Sequence, residues 1–190
     1  CFFFKRLDGR VGLVFRLGDS PYLVTEACEY SGSFLQFFPK ISLILNVEED
    51  HLDYFKDLRA IIDCFRAFAE KTPDDGLLIV NKDDENAMAA VSGVQKPCIT
   101  FSAKDESADF VATNIEFKGN GCAAFTVLKQ GATFMEASLT VPGMHNVLNA
   151  LATIAAADFM GVSPADIQKG FDAFTGACRR FEVKGKFRDA

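Results

Sequence analysis

The run Ile41 to Asp53, ISLILNVEEDHLD, constrains the fold of this chain more than any other stretch. Apolar, partly β-branched residues end abruptly at Asn46. Glu48, Glu49, Asp50, His51 and Asp53 follow at once. This is the pattern of a buried strand with its polar groups gathered at the C-terminal end. In open parallel α/β sheets that edge is where ligands bind.

The residues around it repeat the theme. Leu77 to Val80 and Cys98 to Phe101 read as further short strands. Between them, Leu58 to Glu70 carries apolar residues at the spacing of an amphipathic helix, and Asp84 is placed to cap a second helix running to about Val91. Tyr22 to Glu26 reads as one more buried strand, and 27–38 as loop followed by a short helical piece. Strand and helix in alternation predict an α/β fold with a mostly parallel sheet flanked by helices. The pattern then changes. Phe110 to Phe117, Cys122 to Lys129 and Thr133 to Thr140 are strand-like runs separated by Gly119-Asn120-Gly121 and Gln130-Gly131. These predict a small antiparallel three-stranded meander. A long helix is expected over Asn146 to Met160, and another from Ser163-Pro164 to about Phe174.

Bulk properties exclude some functions. The 190 residues suit one ordinary domain, 49% hydrophobic and 24% charged. A net charge of −6 argues against a nucleic-acid binder, which carries a basic face. No apolar run approaches the ~18 residues that span a bilayer. The six cysteines show no Cys-x-x-Cys spacing, so the expectation is reduced, mostly buried thiols in a cytoplasmic protein.

Several polar residues stand where chemistry is possible. Glu26 and His51, each at a strand end, open onto one sheet edge if those strands are neighbours. A carboxylate and an imidazole there suit a loosely held divalent metal. The plainer alternatives are a solvated strand end for Glu26 and an acidic helix N-terminus for Asp50-His51. The only other histidine, His145, lies in VPGMHNVLNALA, where Asn146 and Asn149 share a helix face at i, i+3. Paired amides can hold a heterocycle; a helix cap explains the first asparagine but not the second. Arg179-Arg180 sits in a basic connector suited to phosphate or simply to solvent. No G-x-x-x-x-G-K-[ST] phosphate cradle occurs.

Four blocks, in order, resemble the central domain of the Mur ligases, the ATP-dependent amide-forming enzymes of peptidoglycan synthesis. They are VTEACEYSGSF (Val24 to Phe34), ILNVEEDHLDYF (Ile44 to Phe55), VPGMHNVLNALA (Val141 to Ala152) and GACRRFEVKG (Gly176 to Gly185). The forms EACEY and EDHLDYF favour the alanine-adding branch. The resemblance implies Mg²⁺ ligands at Glu26 and His51. It implies adenine contacts at Asn146 and Asn149 with His145 beside them, a nucleotide contact at Arg180, and substrate-side positions at Asn46 and Asp50. It further implies ATP and Mg²⁺ as cofactors, with UDP-N-acetylmuramate and L-alanine as substrates. The helix Leu58 to Glu70 has Arg59 and Arg66 but no lysine, unlike branches that use a modified lysine there.

The expected organisation is an N-terminal segment 1–20 without clean periodicity, a central ATP-binding domain over 21–178, and a connector over 179–190. The family's P-loop and C-terminal domain are expected outside the chain, which then reads as a fragment, inactive alone. Two alternatives stand beside this reading. One is another amide ligase of the superfamily, of the murein-peptide-recycling or folylpolyglutamate-synthetase type. The other is a non-catalytic remnant domain.

Overall fold

A computed structural model describes residues 22–176 of the chain. Six strands form one sheet in sequence order: β1 (Ile41–Ile44), β2 (Leu77–Asn81), β3 (Cys98–Ser102), β4 (Phe110–Phe117), β5 (Cys122–Lys129) and β6 (Ala132–Pro142). The first four are mutually parallel; β4, β5 and β6 pair antiparallel. The expected α/β sheet and its meander are both present, as one continuous sheet. Four α-helices cover it: α1 (Leu58–Glu70), α2 (Glu85–Val91), α3 (Met144–Phe159) and α4 (Pro164–Ala173). A 3-10 helix, Tyr30–Gln36, precedes β1.

The continuous apolar strands follow from burial on both faces. In β2, Leu77 and Ile79 enter the cluster built on α3, while Leu78 and Val80 enter the cluster built on α1 and α2. All four are buried. Each such side chain contributes about 1.5–3 kcal/mol relative to exposure, so β2 anchors the three layers. Helix starts are set by local chemistry. Asp57 accepts from the Ala60 N–H at 2.9 Å, Asp84 from the Ala87 N–H at 2.7 Å, and Ser163 from the Asp166 N–H at 3.2 Å. Each satisfies an amide that the first helical turn leaves open.

Two expectations are corrected. The run 22–26 is not a strand: it is coil, with Tyr22, Leu23 and Val24 all exposed. Among the described residues β1 pairs only with β2, and this run does not join its open edge. An apolar run without backbone partners gains nothing from strand geometry. The thiols are also not mostly buried. Of the four described cysteines, all free, only Cys122 is buried; Cys64 packs partly buried against the cluster at α1 and α2, and Cys28 and Cys98 are exposed.

The meander sets the height of the upper edge. β4 continues from Ala112 to Phe117 beyond its last pairing with β3. β6 runs in the direction of β4, so its end at Pro142 projects on the same side as the C-terminal ends of β1, β2 and β3.

Candidate functional site

The C-terminal end of β1 leads into a loop held at both ends. Val47 and Phe55 are buried and pin it to the core. The Val47 carbonyl accepts from Asn86 Nδ2 at 2.8 Å, and its N–H donates to Asp84 Oδ1 at 3.4 Å, so the loop is also tied to the start of α2.

His51 stands at the loop's apex in the left-handed region, at φ 54°. Such a φ is uncommon for a residue with a side chain and needs support from its surroundings. The support is visible. Asp50 Oδ1 accepts from the His51 N–H at 2.7 Å, and the His51 carbonyl accepts from the N–H groups of Tyr54 and Phe55 at 2.8 and 2.9 Å. The imidazole packs against the Tyr30 ring, 4.8 Å between centroids, and the Tyr30 hydroxyl donates to Asp53 Oδ2.

Three potential metal-binding side chains meet here. His51 Nε2 lies 3.4 Å from Glu29 Oε1 and 3.8 Å from Asp50 Oδ2, and the three donor atoms all lie within 4.8 Å of one another. An imidazole nitrogen and two carboxylate oxygens, partly open to solvent, suit a divalent cation that keeps water and phosphate oxygens in its remaining positions. The donor set therefore fits Mg²⁺. The Glu29 charge also reaches α1: burial first, then Glu29, pushes the Cys64 thiol above its ordinary range.

The other sequence-predicted residues fall as follows. Glu26 is exposed, in the coil three residues before Glu29. Asn46 is exposed, and its amide donates to Glu48 Oε1 at 3.0 Å. Arg180 lies outside the described residues. His145, Asn146 and Asn149 begin α3, which starts at Met144, two residues earlier than expected. Gly143, at φ 101°, turns the chain directly from β6 into the helix and occupies the N-cap position, so Asn146 is not the cap. Instead Asn146 Nδ2 donates to the Pro142 carbonyl at 2.7 Å, and Asn149 Nδ2 donates to Asn146 Oδ1 at 3.4 Å. Asn149 keeps an amide oxygen and a second N–H that neither bond uses. Both asparagines line a cavity of about 190 Å³ whose other walls include Leu139, Val141, Ile167 and Phe171. An apolar slot with a few amide groups suits a flat heterocycle.

The two histidines thus share the C-terminal side of the sheet but stand at its two flanks. One follows β1 and the other follows β6, the two edge strands of the sheet among the described residues. The acids after β2 serve structure. Asp83 accepts from Ser102 and from the Ala103 N–H, and Lys82 pairs with Asp105 at 3.0 Å. Sequence reasoning missed Glu29 and Tyr30. The signal was the second glutamate of EACEY, three residues after the first.

The family model of the Mur ligase middle domain matches residues 14–157. The chain belongs to the Mur ligase middle-domain family. Among similar sequences, UDP-N-acetylmuramate–L-alanine ligase of Acetivibrio thermocellus is 45% identical over 170 residues, covering 90% of this chain and 36% of that protein. The enzyme of the same name from Clostridium novyi is 46% identical over 171 residues, covering 90% of this chain and 37% of that protein. The chain therefore spans somewhat over a third of these Mur ligases. Among solved structures, UDP-N-acetylmuramate-alanine ligase MurC from Thermotoga maritima superposes with a TM-score of 0.68 at 28% identity, covering 83% of this chain and 34% of that one. The UDP-N-acetylmuramate:L-alanyl-gamma-D-glutamyl-meso-diaminopimelate ligase of Neisseria meningitides gives 0.66 at 30% identity, covering 77% and 44%. Among the described residues of this Mur ligase domain, no helix is long and apolar enough to cross a membrane.

Proposed function

We propose that this chain is the central part of an ATP-dependent ligase that joins L-alanine to the carboxylate of UDP-N-acetylmuramate in peptidoglycan synthesis. The observation that carries the reading is identity of 45–46% over 90% of the chain to relatives bearing that name. The sheet-edge cluster at His51 and the amide-lined cavity at α3 are consistent with it.

The chemistry runs in two steps. The muramyl carboxylate attacks the γ-phosphorus of ATP, forming an acyl phosphate and releasing ADP. The L-alanine amine then attacks the acyl carbon and expels phosphate. Bound Mg²⁺ offsets charge on the transferring phosphoryl group, the main demand of such a transition state. His51 and Glu26 are the family positions for holding it. Asn146 and Asn149 hold the adenine, with His145 beside them. The Asn149 oxygen can accept from the base's exocyclic amino group while its second N–H donates to a ring nitrogen. Asn46 and Asp50 belong to the substrate side, and Arg180 to the nucleotide near the domain junction. The P-loop and the C-terminal domain belong to the rest of the enzyme, in the cytoplasm.

In the whole enzyme, phosphate release is expected only with UDP-N-acetylmuramate, L-alanine, ATP and Mg²⁺ together. Release that does not depend on L-alanine refutes the assignment. Murein-peptide recycling is a second reading, favoured by the 30% identity to the Neisseria meningitides ligase. Turnover with the tripeptide L-alanyl-γ-D-glutamyl-meso-diaminopimelate in place of L-alanine would select it.

A further inference from the structure

We propose that Asn86 is a positioning residue for the ligase reaction: from α2 it holds the loop that presents His51. The inference rests on the reading of this sheet edge as the site of phosphoryl transfer, and adds to it the side chain that fixes the loop.

Three observations carry it. First, the loop has little packing of its own. Between β1 and α1, Val47 and Phe55 are buried, and from Glu48 to Tyr54 every residue is exposed except the half-buried His51. The course of the loop as it leaves the sheet is therefore set at Val47. Second, α2 sets it. Asn86 Nδ2 donates to the Val47 carbonyl at 2.8 Å, an ordinary hydrogen-bond length. The Val47 N–H reaches Asp84 Oδ1 at 3.4 Å, a weaker contact, so Asn86 is the main tie. Third, α2 has no use of its own for this asparagine. Asp84 caps the helix, its Oδ1 accepting from the Ala87 N–H at 2.7 Å. Asn86 follows inside the helix, where asparagine is a poor former because its amide competes for backbone partners. Here that amide bonds the backbone of a different element.

The path from Asn86 to His51 is short. Val47 stands four residues before His51. On the far side the buried Phe55 donates its N–H to the His51 carbonyl at 2.9 Å. His51 is thus suspended between two anchors, and Asn86 fastens one of them. Releasing that anchor displaces the imidazole, and a displacement of about 1 Å at a reacting centre lowers the rate of the step itself.

The test is steady-state phosphate release by the whole enzyme with UDP-N-acetylmuramate, L-alanine, ATP and Mg²⁺. Asn86→Asp is isosteric, removes the donor and sets a carboxylate against the Val47 carbonyl, while an acid in the first turn suits α2. It is expected to lower kcat about tenfold and to leave KM for L-alanine and for UDP-N-acetylmuramate within about twofold. Asn86→Gln, which keeps the donor on a longer arm, should recover part of the loss. In a His51→Gln background, Asn86→Asp should add less than about a twofold further loss, because the group it positions is already gone. Unfolding midpoints establish that the variants remain folded. Equal fold-losses from Asn86→Asp in the two backgrounds describe a merely structural role and overturn the proposal. A wild-type kcat in Asn86→Asp beside a slow His51→Gln enzyme also overturns it, and leaves the reading of this edge standing. A wild-type rate in His51→Gln overturns that reading and the proposal with it.

Discussion

Tyr30 donates its phenolic hydrogen to Asp53 Oδ2 over 3.0 Å while its ring rests 4.8 Å from that of His51. One side chain thereby joins the 3-10 helix to the loop beyond β1. The hydrogen bond to Asp53, and then the charge of that carboxylate, raise the Tyr30 hydroxyl above its ordinary value of 10.0. A phenolate would lose the bond and face the carboxylate. The folded value lies above the unfolded one, so this contribution is fully present below pH ~10 and is lost as pH rises through the folded value. In an absorbance titration of phenolate formation, Tyr30→Phe should remove a component titrating above 10. Asp53→Asn should move that component down. Superimposable curves for wild type and Asp53→Asn refute the link.

Asp105 supplies the opposite sign at the other pH extreme. Hydrogen bonds from Ser107, then from Lys82, hold its carboxyl down at about 2. Its folded value lies below the unfolded one. The contribution is present above the ordinary carboxyl value of 3.8 and is lost as pH falls toward 2. Asp105→Asn should flatten the acid limb of stability between pH ~4 and ~2, measured as unfolding midpoint against pH. An unchanged limb counts against this pairing.

Ser42 and Thr72 share one buried hydrogen bond, 2.7 Å between hydroxyl oxygens. Ser42→Ala strands the Thr72 hydroxyl in a site where Thr72 is wholly buried. The expected loss is about 1–3 kcal/mol in urea unfolding. The double variant Ser42→Ala with Thr72→Val should recover part of that loss. If the double variant is worse than the single one by a further full increment, the two hydroxyls are not acting as a pair.

Gly76 and Gly93 separate steric from conformational cost. A Cβ at Gly76 would sit 2.5 Å from the Lys40 carbonyl oxygen, the same oxygen that accepts from the Leu77 N–H at 3.0 Å where β1 and β2 begin to pair. Backbone must move, and Gly76→Ala should cost about 1–3 kcal/mol. At Gly93 a Cβ meets nothing within 4 Å, but φ is +83°. Gly93→Ala should cost about 1 kcal/mol, from the left-handed backbone alone. Equal denaturation midpoints for the two variants contradict the distinction.

Asn149→Ala should raise the ATP requirement of the whole enzyme about tenfold, the equivalent of one lost hydrogen bond of roughly 1.4 kcal/mol. An ATP requirement equal to that of the wild type refutes the adenine contact.

Among the described residues, the sequence by itself located the four α-helices and the six strands of the sheet. Their signals are local: the 3.6-residue spacing of α1, the capping side chains of Asp84 and Ser163, and the glycine turns that separate β4, β5 and β6. It also singled out His51, because an apolar strand ending in acids and an imidazole needs no partner to be read. Only the tertiary structure decided what His51 faces. EACEY holds two glutamates three residues apart, and nothing local says which one reaches the imidazole. The 3-10 turn and the Tyr30 contacts bring Glu29 there, while Glu26 remains exposed in coil. The run 22–26 was misread for the same physical reason. Strand formation is settled by pairing with a neighbouring backbone, and sequence pattern alone does not reveal whether a run docks on the open edge of β1.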